Sequence, residues 1–95
     1  MWYFYVLQSL KTHDWFYKGS TNDLQRRLHQ HNSGEVDSTI PHCPFRIVYY
    51  EAYLTEHAAR IRESSVKTSG SVSVPLLKRI KESLIGSVAS VTHES

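Results

Sequence analysis

Tyr5, Tyr17, Arg27, His31 and Glu63 are two phenols, a guanidinium, an imidazole and a carboxylate that a small fold could gather in one place. Together they are the ingredients of metal-assisted phosphodiester cleavage. That chemistry needs an anion clamp for the non-bridging phosphate oxygens, a ligand for a divalent cation, and a proton acceptor near the attacking water. Each residue also has an ordinary account when taken singly. Tyr5 and Tyr17 could be strand aromatics that only pack. Arg27 could be a surface charge whose stem lies over Leu24 and Leu28. His31 could complement a helix C-terminus, and Glu63 could form an i, i+4 pair with Lys67.

The elements that must position these groups are legible from pattern. Residues 2–8 are aromatic and β-branched, and a second such stretch at 15–19 follows the polar break Lys11-Thr12-His13-Asp14, which reads as an opening β-hairpin. Alternation places Tyr3, Tyr5 and Leu7 on one face of the first strand, and Trp15, Tyr17 and Gly19 on one face of the second. Whether those faces coincide depends on register. A helix is expected from Asn22 as N-cap, with Gln25 as reciprocal cap and Asn32-Ser33-Gly34 as stop. Its inward stripe at i, i+3, i+4, i+7 holds Leu24, Arg27, Leu28 and His31, so two of four inward positions are polar. Residues 33–44 read as a loop ending at Pro44, and 45–53 as a strand. A second helix runs from about Thr55 to Ser69-Gly70, with Ala58, Ala59, Ile61 and Val66 as its apolar arc and Glu63 at the edge of that arc. A last helix from about Ser73 carries Leu77, Ile80 and Leu84, with Pro75 in its first turn and Gly86 as C-cap.

This order predicts an α/β fold of the α+β type: a small three-stranded, mainly antiparallel sheet covered by helices, in the order β-β-α-β-α-α. With 95 residues there is room for one domain, expected over 1–86, followed by a polar and disordered tail over 87–95. An apolar fraction of 40% and a charged fraction of 21% argue for a packed core and against disorder of the whole chain. A formal charge of +2 permits binding to a polyanion without demanding it. One cysteine, Cys43, cannot staple the chain to itself, and a cytoplasmic setting is the simplest expectation. It reads as a small apolar filler, and no paired His/Cys spacing suggests structural zinc. The apolar start lacks a basic leader, and no apolar run approaches the roughly 18 residues of a membrane span.

From Tyr3 to about Lys67 the chain resembles the GIY-YIG nuclease superfamily, especially its small stand-alone bacterial members. The first signature tripeptide aligns with Tyr3-Phe4-Tyr5 and the second with Tyr17-Lys18-Gly19. The run from Thr21 to Asn32 is similar to the family helix in which an arginine is followed one turn later by a histidine. Tyr49-Tyr50-Glu51 and the segment Ala59-xx-Arg62-Glu63-xx-Val66-Lys67 complete the match. Tyr3 stands where the first triad usually has glycine, and Lys18 where the second usually has an aliphatic residue.

The resemblance implies a divalent-metal-dependent endonuclease acting on DNA. It implies Tyr5 as general base or water-positioning group, Tyr17 as a polarising group, Arg27 as phosphate clamp, and His31 as a phosphate or proton-transfer partner. Glu63 is the implied metal ligand, with Mg2+ or Mn2+ as the ion. One carboxylate plus substrate oxygens and waters suits a hard octahedral cation. Arg27, His31, Lys18 and Lys67 are the expected nucleic-acid contacts, although alternation turns Lys18 away from the Tyr17 face. A free phenol titrates near ~10, so Tyr5 can act as a base at neutral pH only if a metal or a nearby cation eases its proton loss. A planar guanidinium can hold two phosphate oxygens, which suits Arg27 to its role. The alternative from another class is a non-catalytic nucleic-acid-binding module of the same fold, and a protein-interaction domain is a third. No residue argues for an obligatory protein partner, and a homodimer is left open.

Overall fold

The computed structural model describes the backbone of residues 1–93 and the side chains of residues 1–85. Strand β1 (Trp2–Ser9) is the centre of a three-stranded sheet, flanked by β2 (Phe16–Thr21) and β3 (Phe45–Tyr53), in the order β2-β1-β3. Both pairings are antiparallel. Helix α1 (Leu24–Asn32) follows β2, α2 (Glu56–Thr68) follows β3, and α3 (Gly70–His93) closes the chain. The expected order and sheet type are therefore what the chain adopts.

Central position explains why β1 is apolar along its length. Every residue from Phe4 to Ser9 is buried, because both faces of the strand are covered. On one face Phe4 and Val6 pack with Val66 of α2 and with Leu76 and Ile80 of α3. On the other, Tyr5 and Leu7 join Phe45, with Leu24 and Leu28 of α1 against them. Burial of each such side chain contributes about 1.5–3 kcal/mol. Cys43 packs at the rim of the second cluster as a free thiol.

The register settles what alternation alone left open. Tyr5 lies opposite Gly19 and Leu7 opposite Tyr17, so the Tyr3-Tyr5-Leu7 and Tyr17-Gly19 faces are one face. A bulge in the β1–β3 pairing falls between Val6 and Leu7.

Several boundaries move. Asp23, one residue later than Asn22, caps α1: its backbone is extended and its carboxylate accepts from the Arg26 N–H at 3.0 Å. Arg26 therefore occupies the third helical position, and Gln25 has no reciprocal role; Asn22 instead accepts from the Arg26 guanidinium at 2.9 Å. Residues Asp37–His42 form a 3-10 helix within the expected loop. Helix α2 starts where expected, next to Thr55, which caps it by accepting from the Ala58 N–H at 3.1 Å. Ile61, assigned to the inward arc of α2, is 56% exposed; the inward face consists of Ala59 and Val66 with Arg62 and Glu63 between them. Sequence hydrophobicity misplaced that arc because its two polar members are held by partners rather than by water.

Helix α3 starts at Gly70, where the Ser69 carbonyl accepts from the Val72 and Ser73 N–H groups, so Pro75 lies in its second turn. It passes through Gly86, which does not cap it. The tail expected over 87–95 concerns residues whose side chains lie outside the described ones, and 94–95 lie outside them altogether. Among the described residues no helix is long and apolar enough to cross a membrane.

Candidate active site

Tyr5 is the hub of the site. Its side chain is almost wholly buried, and its hydroxyl lies 3.1 Å from His31 Nε2 while Arg27 Nε donates to it at 3.4 Å. His31 is fully buried, and its Nδ1 lies 2.9 Å from Thr39 Oγ1. Thr39 Oγ1 spends its own proton on the Val36 carbonyl at 3.0 Å, so toward His31 it can only accept. That assigns the ring proton to Nδ1 and leaves the Nε2 lone pair to accept from the Tyr5 hydroxyl. The hydrogen bonds thus run in one direction, from Arg27 through Tyr5, His31 and Thr39 to a backbone carbonyl.

The elements that hold this chain are local and specific. The Asp23 cap sets the phase of α1, which turns Arg27 and His31 inward, one turn apart, toward β1. Asn32 then ties the end of α1 to β3, donating to the Phe45 carbonyl at 3.2 Å and accepting from its N–H at 2.7 Å. Gly19 lies directly under the Tyr5 ring. A Cβ there would sit 2.6 Å from the Tyr5 hydroxyl and 2.8 Å from Cζ, which no real contact tolerates. Glycine is required at this position by the approach of the phenol.

Electrostatics follow from the packing. Burial, only partly offset by the Arg27 hydrogen bond, pushes the Tyr5 phenol up to about 12. Burial and the Arg27 charge hold His31 down at about 4, so its ring is neutral at neutral pH. Burial would lower the Arg27 guanidinium, but the hydrogen bonds and charges of Tyr5 and Tyr17 together outweigh it and raise it, so the group stays charged. Arg27 also donates to Gln30 at 3.0 Å.

Tyr5, Tyr17, Arg27 and Glu63 line one polar cavity of about 340 Å³, together with Gly19 and Ser20. The cavity wraps the β2 edge of the sheet: Tyr5 and Tyr17 belong to the α1 face, whereas Glu63 comes from α2 on the opposite face. Glu63 Oε1 accepts from Ser20 Oγ, and Oε2 pairs with Lys67 Nζ at 2.7 Å. Burial would raise the Glu63 carboxyl, but the bonds from Lys67 and Ser20 hold it below the usual carboxylate range. Tyr17 stands beside Tyr5, with ring centroids 6.3 Å apart.

Two expected roles need correction. His31 has no exposed surface and both ring nitrogens are occupied, so it is not placed to touch a nucleic acid. Lys18 pairs across from Val6, on the face away from Tyr17, and does not line the cavity. Lys67 reaches the site through Glu63 and the face of Tyr17, 5.6 Å from that ring centroid.

Sequence reasoning missed Thr39, Ser20, Arg26 and Arg60. Thr39 sat in an expected loop and had no periodicity to mark it. Ser20 is placed on the α2 face only by the hairpin register, which pairs it with Phe4. Arg26 and Arg60 carry no mark in the sequence that sets them apart from surface charges, yet both line the cavity. Arg60 is also stacked over Trp2 at 5.6 Å.

Among the described residues no group of three or more His, Cys, Asp or Glu forms a cage for a metal ion. What the cavity offers is one ionised carboxylate, Glu63, next to the Ser20 hydroxyl. Hard oxygen donors of this kind fit Mg2+ or Mn2+, which take one carboxylate and complete their shell with water and substrate phosphate.

Residues 1–71 match the family model described as the GIY-YIG catalytic domain. A UPF0213 protein of Bacillus pumilus is 40% identical over 67 residues, 70% of this chain and 66% of that protein. A UPF0213 protein of Haloquadratum walsbyi is 38% identical over 53 residues, 55% of this chain and 60% of that one. The chain thus spans less than two thirds of the length of these relatives. The solution NMR structure of a UPF0213 protein from Bacillus halodurans is similar at 31% identity and a TM-score of 0.48, covering 82% of this chain and 84% of the other. On the match over residues 1–71, the chain belongs to the GIY-YIG family.

Proposed function

We propose that the chain is a divalent-metal-dependent endonuclease that hydrolyses DNA phosphodiester bonds at the cavity around Tyr5. The observation that carries this reading is the one-directional hydrogen-bond chain from Arg27 through Tyr5 to His31, at the wall of a polar cavity that also holds Glu63. A purely structural tyrosine needs one partner for its hydroxyl. Tyr5 has a cation on one side and a neutral imidazole lone pair on the other, which is how a phenol is prepared to move a proton.

A relay is favoured over a stored base. A phenol titrating at about 12 exists as phenolate in about one molecule in 10⁵ at pH 7. The hydroxyl can instead take a proton from the attacking water while its own passes to His31 Nε2. The new P–O bond forms from the water oxygen, the bond to the leaving oxygen breaks, and that oxygen takes its proton from solvent water. Arg27 holds the non-bridging oxygens with its planar fork. Phosphate bound there also offsets the Arg27 charge that holds His31 down, so substrate binding makes the imidazole a better acceptor. Tyr17 borders the same space and orients water or phosphate. Glu63 would hold the divalent cation, which when bound supplies Lewis-acid polarisation of the phosphate.

Plasmid nicking in Mn2+ tests the reading, with the wild type beside Glu63→Ala and Arg27→Ala. Each substitution is expected to lower the rate by about 10²-fold or more. Cleavage that survives both substitutions overturns the assignment of the site.

A further inference from the structure

Both oxygens of Glu63 already have a partner. One is taken by the Ser20 hydroxyl and the other by the Lys67 ammonium at 2.7 Å, and the same ammonium lies 5.6 Å over the face of Tyr17. The pair also differs in setting from the other i, i+4 ion pair of α2. Arg60 and Glu56 are 58% and 49% exposed, as expected of a solvated rung, whereas the Glu63 carboxylate is only 19% exposed. It borders the cavity, while Lys67 is 44% exposed and has a free route into solvent.

We propose that Lys67 is a resident counter-ion that closes the Glu63 carboxylate to divalent cations, so that a metal reaches Glu63 only by displacing the ammonium. The inference rests on reading Glu63 as the metal ligand and adds a rule for how that ligand is occupied. A compact ammonium on a flexible four-carbon stem is suited to this, because it neutralises the carboxylate without fixing the geometry and can be drawn away. An incoming phosphate is the natural group to draw it. Its negative charge offers the ammonium a second partner close to the first, which links loading of the metal to arrival of the substrate. Two positive charges at one carboxylate oxygen repel each other strongly at this partly desolvated position, so occupancy by one opposes the other.

The test is direct binding of Mn2+ to the intact chain in the absence of nucleic acid, followed by calorimetry or by loss of the free-ion electron paramagnetic resonance signal. Lys67→Met is expected to bind Mn2+ about tenfold more tightly than the wild type, and Lys67→Arg about as weakly as the wild type. Equal or weaker binding by Lys67→Met, or no detectable binding by either it or the wild type, overturns the proposal. Glu63→Gln separates this failure from that of the nuclease reading. If Glu63→Gln abolishes binding while Lys67→Met leaves it unchanged, only the counter-ion role falls. If Glu63→Gln binds Mn2+ as well as the wild type, Glu63 is not the ligand and both readings fall together.

Discussion

At the scale of single residues, the site is governed by what Tyr5 touches. Gly19→Ala is expected to displace the phenol from His31 and Arg27, because the new methyl group would sit 2.6 Å from its hydroxyl. Such overpacking costs about 1–3 kcal/mol of stability. Thermal melting should show that loss, and nicking assays should show a fall in rate larger than the loss of folded protein accounts for; wild-type melting and wild-type nicking together would contradict it. His31 makes a separate prediction about pH. In the folded chain it takes a proton only near pH 4, whereas the unfolded chain takes one near 6.5. Between those values the unfolded state binds more protons, so stability drops as pH falls from about 6.5 to about 4, by ~3 kcal/mol in all. Urea unfolding of the wild type and of His31→Gln at pH 7 and pH 4.5 would reveal this. The wild type should lose more stability than the variant on acidification, and parallel losses would contradict the assignment.

At the level of elements, α2 must bring Glu63 to a cavity whose phenols belong to the other face of the sheet. Glu51 of β3 anchors it. Its carboxylate accepts from Tyr49 and Tyr53, each at 2.6 Å, and from Arg62 at 3.0 and 3.1 Å. Burial would raise this carboxyl, yet the Arg62 and tyrosine bonds hold it below its ordinary range. Both Arg62 and Glu51 keep some solvent contact, so the ion pair alone is worth little, and most of the loss comes from unpaired phenols and guanidinium. Glu51→Gln is expected to destabilise the chain by about 1–2 kcal/mol, read as a lower urea midpoint. An unchanged midpoint would show that α2 is held by Val66 and Ala59 alone.

The same elements show what was legible beforehand. The three strands and α1 announce themselves, because aromatic runs and a heptad-like stripe are local patterns. Arg27 and His31 were placed correctly by that stripe. The hairpin register, the 3-10 turn carrying Thr39 and the inward position of Arg62 were not legible. Each depends on a partner distant in sequence, and polar residues held by such partners carry no periodic mark. The Glu63–Lys67 pair was legible from its i, i+4 spacing, whereas nothing in the sequence marks that His31 is sealed from solvent.

At the scale of the whole molecule, a formal charge of +2 is too small to hold DNA by net attraction. Affinity must come from where the charge is placed, and Arg26, Arg27 and Arg60 all line the one cavity. With about three phosphates neutralised, binding to duplex DNA without metal should weaken with a slope near −3 in log K against log salt, and Arg60→Ala should reduce that slope by about one. Fluorescence anisotropy across a salt series would measure it, and a slope indifferent to Arg60 would place the interface elsewhere. If the Tyr5 hydroxyl moves the proton in the hydrolytic step, removing that one oxygen must slow cleavage without weakening binding. Tyr5→Phe, compared with the wild type in single-turnover cleavage with Mn2+, should keep its DNA affinity and lose at least about 10²-fold in rate. Cleavage by Tyr5→Phe at the wild-type rate would contradict the account.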